Sequence, residues 1–252
     1  MFEIVYAWLF WALVAVSVIV FIALLFVTAP YGKFGRTGWG PALNSTLAWV
    51  LMESAAVFTM PVMFLLSDRT GNAVSIAFLL LWESHYVYRT FIFPFRRTGH
   101  PRPMPVSVMG MALFFNVWNG FLNGAALFHL GPESGREIVE SWMFWAGTGL
   151  FFCGMAINHQ SDNILRRLRK DGQSGYRIPE GGLYRWVSMP AYLGEIIEWT
   201  GFALLTCSSA AVLFACFTAA NLVPRAISSH KWYLQTFREY PQKRKAIIPF
   251  IL

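Results

Sequence analysis

The chain of 252 residues contains few charged residues: Asp, Glu, Lys and Arg together make up only 13% of it. An ordinary soluble domain carries roughly 25%, and a soluble protein of 28.6 kDa could not cover its surface with so few charges. By contrast, 56% of the residues are hydrophobic and 11 are Trp, and the mean hydropathy is +0.47. These values predict an integral membrane protein and argue against the soluble enzyme classes.

Residue patterns of several enzyme classes are missing as well. The run Gly38-Trp39-Gly40 is followed by Pro41-Ala42-Leu43, so it lacks the third Gly of the G-x-G-x-x-G pattern of dinucleotide-binding folds. No G-x-S-x-G hydrolase motif is present. The five histidines are scattered singly, so we predict no metal site. The three cysteines lie in apolar stretches, which predicts small buried core residues rather than disulfide partners or metal ligands; they are Cys153, Cys207 and Cys216.

Seven apolar stretches predict membrane-spanning helices, because a hydrocarbon core of about 30 Å requires about 20 apolar residues per helix. The last two stretches are short and meet in a predicted tight turn at 206–209. The chain has no linker, low-complexity tract or internal repeat, so we predict one domain over 1–252. The predicted spans are 5–27, 46–66, 73–95, 106–130, 142–157, 192–205 and 210–223.

The basic residues predict the orientation of these spans. With seven spans, all Lys and Arg except Arg69 and Arg136 fall on one side. Positively charged loops face the cytoplasm, so we expect the N-terminus outside and the C-terminus in the cytosol. The net charge of +7 then reflects membrane topology rather than nucleic-acid binding.

Ionisable residues inside the predicted spans are costly and mark candidate functional sites. One alternative is that they only join helices through hydrogen bonds. We favour a polar cavity, because Tyr86 and Arg89 are spaced to share a helix face with one of the acids. The four intramembrane acids are Glu53, Glu83, Glu195 and Glu198.

The predicted cytosolic side combines cations, amides and aromatic rings. Asn158 and Asp162 lead into a long, basic loop predicted over 161–187, and loops of this length are usually functional. Arginine forks suit phosphates, and flat rings suit purine or nicotinamide. Binding of anionic lipid is the alternative, but the acidic side chains disfavour it because they repel lipid phosphates.

Several motifs in the chain are long and specific. The amino half contains Tyr31-Gly32-Lys33, Trp49-x-x-x-Glu53 and His85-Tyr86-x-x-Arg89-Thr90-Phe91. The carboxyl half contains Asn158-His159-x-Ser161-Asp162, Tyr176-Arg177-Ile178-Pro179-x-Gly181-Gly182, Leu193-Gly194-Glu195-Ile196-Ile197-Glu198-Trp199 and Tyr240-Pro241-x-x-Arg244-Lys245. With these motifs, nearly the whole chain resembles the steroid 5α-reductases, or 3-oxo-5α-steroid 4-dehydrogenases.

The resemblance implies an all-α fold of seven membrane helices that uses NADPH to reduce the C4–C5 double bond of Δ4-3-oxo steroids. It implies that Tyr86 and Glu53 bind the 3-oxo group and that Trp49 lines the substrate pocket. The residues that it assigns to the cofactor are Lys33, Arg89, Asn158, Asp162, Arg169, Tyr176, Arg177, Glu195, Trp199, Arg225 and Tyr233. It also implies a steroid or sterol-like lipid substrate and contact with membrane lipid, with no nucleic acid and no obligate protein partner.

Two positions depart from the family pattern. Ala191 stands where the family usually has Asn, so one amide contact to the cofactor is expected to be missing or replaced. Ser229 stands where some members have His. Related enoyl and polyprenol reductases keep the substrate class open, and a non-catalytic lipid-binding or transport bundle is the alternative outside the enzymes. The expected location is a bacterial inner membrane or the endoplasmic reticulum.

The chemistry of the residues is consistent with a reductase. Hydride transfer to the β-carbon of an enone places negative charge on the ketone oxygen, and a donor aimed at that oxygen stabilises the transition state. Tyr86 is such a donor, and Glu53 can donate too where burial keeps it neutral.

Overall fold

The computed structural model describes residues 1–98, 102–132, 135–168 and 175–252. The described residues are mainly helical and include two very short antiparallel strands, β1 (Ala42–Leu43) and β2 (Met104–Pro105), which join the regions before α2 and α5. The helices are α1 (Phe2–Phe26), α2 (Ser45–Leu65), α3 (Ala73–Val87), α4 (Phe93–Arg96), α5 (Val106–Ala125), α6 (Arg136–Glu140), α7 (Trp142–Leu168), α8 (Pro190–Thr206) and α9 (Ser209–Thr236).

Two helices contain wider, π-helical turns. The turn Tyr88–Ile92 joins α3 to α4, and the turn Ala126–Leu130 extends α5. Asparagine side chains cap two of the helices: the Asn44 Oδ1 accepts from the backbone N–H of Thr46 at 2.9 Å, and the Asn72 Oδ1 accepts from that of Ser75 at 2.9 Å. These side chains satisfy backbone donors that the first helical turn leaves free.

Four helical segments in the described part of the chain are long and apolar enough to cross a membrane: Phe2–Phe26, Ser45–Leu65, Val106–Leu130 and Ser209–Thr236. The other predicted stretches also fall on helices, but some bounds differ. The loop predicted from Ser161 is wrong at its start, because α7 continues to Leu168. The helix α9 runs through Pro224 to Thr236, well beyond its apolar segment.

The helices α7 and α8 pack with their backbones in direct contact. Gly147 and Gly154 of α7 face Gly201 and Gly194 of α8. A Cβ atom added at Gly154 would lie 2.7 Å from the Cα of Glu198, and one added at Gly194 would lie 2.6 Å from the carbonyl oxygen of Gly154. Only glycine permits this approach, which is typical of close helix pairs in membranes.

Aromatic side chains fill the main core. Trp82 lies at its centre, with ring centroids 5.4 Å from Trp199, 5.8 Å from Phe202 and 5.6 Å from Phe214. The three cysteines lie outside this core. All three are exposed, so the prediction that they are core residues is wrong. An apolar sequence context does not separate a core position from a lipid-facing one, because both surroundings are apolar.

The ends of the helices differ in character. At one end, Arg69 donates to the carbonyl oxygens of Leu127, Gly131 and Pro132, and the Phe2 ring lies 5.6 Å from the His129 ring. At the other end, basic side chains join several elements: Arg97 donates to the Ser45 hydroxyl at 3.1 Å, and Arg96 to the Asn163 amide oxygen at 3.2 Å.

Candidate active site

The end of α3 and the π-helical turn that follows it begin the site. The Trp49 indole N–H on α2 donates to the carbonyl oxygen of Arg89, which lies in this turn, at 3.0 Å. The Arg89 guanidinium is 5.0 Å from the Trp49 ring centroid and 4.4 Å from that of Phe93. It also donates to the Asp162 carboxylate on α7 at 3.5 Å. Arg89 therefore links α2, α3 and α7 from a mostly buried position.

Tyr86 lies on the inner side of α3 and is only 4% exposed. Its ring is stacked obliquely against Trp82 at 4.8 Å and lies 5.6 Å from Trp199. Its phenol lies within the electrostatic influence of three carboxylates, which come from α2 and α8: those of Glu53, Glu195 and Glu198. A neutral phenol among acids is a hydrogen-bond donor in a place where water is scarce.

Three of the four acids predicted to line a cavity thus lie close enough to Tyr86 to interact with it electrostatically. Glu83 lies on the same helix as Tyr86, half-buried, and its Oε1 has no hydrogen-bond partner among the described residues. Glu198 is fully buried, and its Oε1 lies 2.8 Å from the Nδ1 of His85. The second oxygen of Glu198, Oε2, is buried without a partner in the described part of the chain.

Asn158 on α7 faces the first turns of α8. Its Nδ2 donates to the carbonyl oxygen of Ala191 at 3.1 Å and to the Glu195 carboxylate at 3.5 Å. Its Oδ1 is buried and has no partner among the described residues. Ala191 therefore contacts Asn158 through its backbone carbonyl oxygen, and its methyl side chain offers no hydrogen bond.

Two cations lie near the basic end. Arg225 on α9 donates to Asn221 at 2.9 Å and to the Tyr192 hydroxyl at 3.1 Å, and it lies 4.8 Å from the Tyr31 ring. The ammonium group of Lys33, between α1 and α2, lies among aromatic rings, 4.5 Å from Trp232 and 4.4 Å from Tyr233. Burial lowers the pKa of Lys33 from its ordinary value of 10.5 to about 8.

The segment after α9 supports this end. Tyr233 stacks on Tyr240 with ring centroids 5.1 Å apart. The Tyr240 hydroxyl lies 2.6 Å from the Ser188 Oγ, which in turn lies 2.7 Å from the Nδ1 of His230. Burial raises the pKa of nearby Tyr184 well above its ordinary value, so that phenol stays neutral.

The remaining predicted residues lie at different depths. Tyr176 and Arg177 are exposed, and the Tyr176 ring lies 5.0 Å from that of Trp232, beside Lys33. Trp199 belongs to the aromatic core and is only 1% exposed. Ser229 is buried. Arg169 lies outside the described residues, so its assignment stays a prediction.

Sequence reasoning missed two polar neighbours of the site on α5, Asn116 and Asn119. The Nδ2 of Asn116 donates to the Met52 carbonyl oxygen at 2.7 Å and to the Glu53 carboxylate at 3.5 Å. Asn119 interacts with Tyr86. Their spacing of one helical turn could have indicated these contacts. It places both amides on one face of a membrane helix, where buried amides require hydrogen-bond partners.

Comparison with known proteins identifies the family. A family model described as 3-oxo-5-alpha-steroid 4-dehydrogenase matches residues 102–252. A steroid 5-alpha-reductase of Gossypium hirsutum is 42% identical over 234 residues, which cover 91% of each chain. The 3-oxo-5-alpha-steroid 4-dehydrogenase 1 of Bos taurus is 34% identical over 250 residues, covering 94% of this chain and 93% of the relative.

The chain belongs to the 3-oxo-5-alpha-steroid 4-dehydrogenase family. It is thus an oxidoreductase, and the resemblance read from its motifs is confirmed. The family match and the four long apolar helices together agree with the predicted membrane protein of mainly α-helical structure.

Proposed function

We propose that this enzyme reduces the C4–C5 double bond of Δ4-3-oxo steroids with NADPH, by hydride transfer to C5 and addition of a proton, derived from solvent, at C4. Its relatives are named for this steroid chemistry. The observation that carries the proposal is the buried phenol of Tyr86 beside the Glu53 carboxyl group. Such a pair suits a ketone oxygen that gains negative charge during the reaction.

The residues present fit a dinucleotide. The orphaned, buried Oδ1 of Asn158 is free to accept a hydrogen bond, as a carboxamide or a ribose hydroxyl would supply. Lys33 and Arg225 provide positive charge for phosphates. The residues that would hold NADPH are Lys33, Arg89, Asn158, Asp162, Arg169, Tyr176, Arg177, Glu195, Trp199, Arg225 and Tyr233. Bound NADPH supplies the hydride.

The protein's own groups have separate tasks in this proposal. Tyr86 donates a hydrogen bond to the steroid 3-oxo oxygen, and Glu53 donates a second one as a neutral acid, while Trp49 lines the pocket. Both donors act where water is scarce, so they stabilise the developing charge more strongly than they would in solution. Arg89, held by Asp162, fixes the end of the helix that carries Tyr86.

We also propose that the single domain crosses the membrane seven times, with its N-terminus outside and its C-terminus in the cytosol. The grouping of the basic loops at one end of the helices supports this orientation. The host membrane is then the bacterial inner membrane or the endoplasmic reticulum, and the steroid substrate enters from lipid.

The test compares Tyr86→Phe with Tyr88→Phe. Tyr86→Phe removes one hydroxyl and keeps the ring, so turnover of a Δ4-3-oxo steroid should fall by about 10²–10³-fold with nearly unchanged NADPH affinity. Tyr88 lies in the π-helical turn and stacks on His159 at 3.9 Å, so Tyr88→Phe should keep its turnover. NADPH oxidation and the steroid product are measured in detergent-purified protein.

The outcomes separate the proposed function from its alternatives. Loss of turnover in Tyr88→Phe together with normal turnover in Tyr86→Phe would show that the assigned catalytic residue is wrong. A protein that binds NADPH but reduces only enoyl or polyprenol substrates would be a related reductase. A protein that does not bind NADPH in a titration would use a different reductant, which would contradict the proposed cofactor.

A further inference from the structure

The helix α5 carries three buried asparagines on the face that it turns toward the site. Asn116 is 6% exposed, and Asn119 and Asn123 are fully buried. Their spacing of three and then four residues places them along one side of the helix. An amide that is buried without hydrogen bonds is costly, so each of these side chains requires a partner.

The amide of Asn119 is oriented by its neighbour one turn away. The Nδ2 of Asn123 donates to the Asn119 Oδ1 at 3.0 Å and to the Asn119 carbonyl oxygen at 3.0 Å. Because the Asn119 oxygen accepts from Asn123, its Nδ2 is the group that points elsewhere. This Nδ2 is buried, and no acceptor among the described residues meets full hydrogen-bond geometry with it.

The group that faces the Asn119 side chain is the Tyr86 phenol. A phenol has one proton to donate and lone pairs to accept with. If the Tyr86 oxygen accepts from Asn119, then its proton remains available for another acceptor. In the same way, the Asn116 amide on α5 donates to the Glu53 carboxyl group.

We propose that Asn119 is a positioning residue for Tyr86: its Nδ2 donates to the phenol oxygen and thereby directs the phenol proton toward the substrate carbonyl. This inference rests on the proposed function, in which Tyr86 donates to the steroid 3-oxo group. When that hydrogen bond strengthens in the transition state, negative charge grows on the phenol oxygen. The Asn119 amide then stabilises that charge, because hydrogen bonds in a chain polarise one another.

The first test is a double-mutant cycle between Asn119→Leu and Tyr86→Phe. In the otherwise unchanged enzyme, Asn119→Leu should lower kcat for steroid reduction about five- to tenfold, the effect of one hydrogen bond. In the Tyr86→Phe background the same substitution should lower kcat less than about twofold, because the hydroxyl on which it acts is already absent. NADPH affinity should stay unchanged in all four proteins.

Asn123→Leu is the matched control. Asn123 is equally buried and lies on the same face of α5. Replacing it loosens the orientation of the Asn119 amide but keeps the Asn119 Nδ2, so kcat should fall less than in Asn119→Leu. Where Asn119→Leu does not yield folded protein, Asn119→Ala replaces it in the cycle. If the Asn119 substitution lowers kcat equally with and without Tyr86→Phe, as independent sites would give, the proposal is overturned.

A second measurement requires no catalytic activity. Protein labelled with ¹³Cζ-tyrosine reports on each phenol, and Tyr86→Phe assigns the Tyr86 resonance by deleting it. We expect Asn119→Leu to shift this resonance more than Asn123→Leu does. A shift in a protein that reduces no Δ4-3-oxo steroid would support the Asn119–Tyr86 contact while the proposed function fails. An unshifted resonance overturns the contact.

Discussion

Glu53 illustrates how much the role of one side chain depends on its protonation. The Asn116 amide donates to its carboxyl group, and the proposed reaction requires Glu53 to be a neutral donor. Glu53→Gln keeps a donor of the same shape, so it should retain more steroid turnover than Glu53→Leu, which has none. We expect Glu53→Leu to lose about 10²-fold or more in kcat.

Both Glu53 variants are compared at equal NADPH occupancy, after checking that their thermal unfolding matches that of the unchanged protein. Equal losses in Glu53→Gln and Glu53→Leu would mean that the charge of the carboxylate, rather than hydrogen-bond donation, is what the reaction uses.

Lys33 gives the site a dependence on pH. Its pKa of about 8 means that the free enzyme loses this positive charge as the pH rises through about 8. If protonated Lys33 binds a cofactor phosphate, NADPH affinity should be constant below that pH and should fall above it, by up to about tenfold per pH unit. Titrations of NADPH between about pH 7 and pH 9 measure this, with Lys33→Arg as the control that keeps its charge.

Raising the pH has the opposite effect on stability: through Lys33, it lowers NADPH affinity but raises the free energy of unfolding. Between about 8 and the ordinary value of 10.5, the unfolded chain binds more protons than the folded one. The contribution of Lys33 to the free energy of unfolding therefore increases with pH across this window.

In the NADPH titrations, an affinity that falls equally in Lys33→Arg would assign the pH dependence of binding to another group.

Residue-scale prediction from sequence works best where a side chain is unusual for its surroundings. Acids inside apolar stretches pointed to Glu53, Glu195 and Glu198, and all three interact electrostatically with Tyr86. It failed where the side chain is ordinary and its partner is distant in sequence. No nearby sequence feature marks Asn119 as a neighbour of Tyr86. Likewise, the residues around each cysteine do not show whether it faces lipid or the protein core.

At the scale of helices, the α7–α8 contact is the most constrained feature. Gly154→Ala would force its methyl group against the backbone of Glu198, so α7 and α8 would have to separate. We expect a loss of about 1–3 kcal/mol in stability and weaker NADPH binding, because Asn158 and Glu195 lie on either side of this contact. Thermal unfolding in detergent and an NADPH titration measure both effects.

Gly149→Ala is the matched control on the same helix. A Cβ at Gly149 would meet nothing within 4 Å, and alanine is the better helix former, so this variant should be as stable as the unchanged protein or more stable. A Gly154→Ala variant as stable as Gly149→Ala would show that α7 and α8 tolerate a wider separation.

Sequence periodicity located the helices but not their ends. The apolar runs in the sequence end before the helices do, because backbone hydrogen bonds and packing extend α7 to Leu168 and α9 to Thr236. Pro224 indicates a break in sequence, yet α9 passes through it. The π-helical turns leave no pattern in composition, so they too had to come from the structure.

For the whole molecule, the native cysteines provide a test of orientation. Cys207 is exposed in the turn between α8 and α9, at the end opposite the basic loops. With the N-terminus outside and seven spans, this turn faces outward. A thiol reagent that cannot cross membranes should label Cys207 in intact spheroplasts of an expressing host, and Cys207→Ser should abolish that labelling.

A cysteine introduced at the exposed Lys231 in the Cys207→Ser background tests the other end. It should react only after the membrane is made permeable. Labelling of this position in intact spheroplasts, together with a Cys207 that reacts in the unchanged protein only after the membrane is made permeable, would reverse the proposed orientation.

The π-helical turn at Tyr88–Ile92 makes the length of this helix as important as its composition. Removing one residue from the turn would rotate everything after it by about 100° about the helix axis. Phe93 and Arg97, which now lie near Trp49, would turn away from it, while Tyr86 would keep its place. Insertions and deletions in this stretch should therefore be tolerated less well than substitutions, and homologous enzymes of different overall length should vary in their loops rather than here.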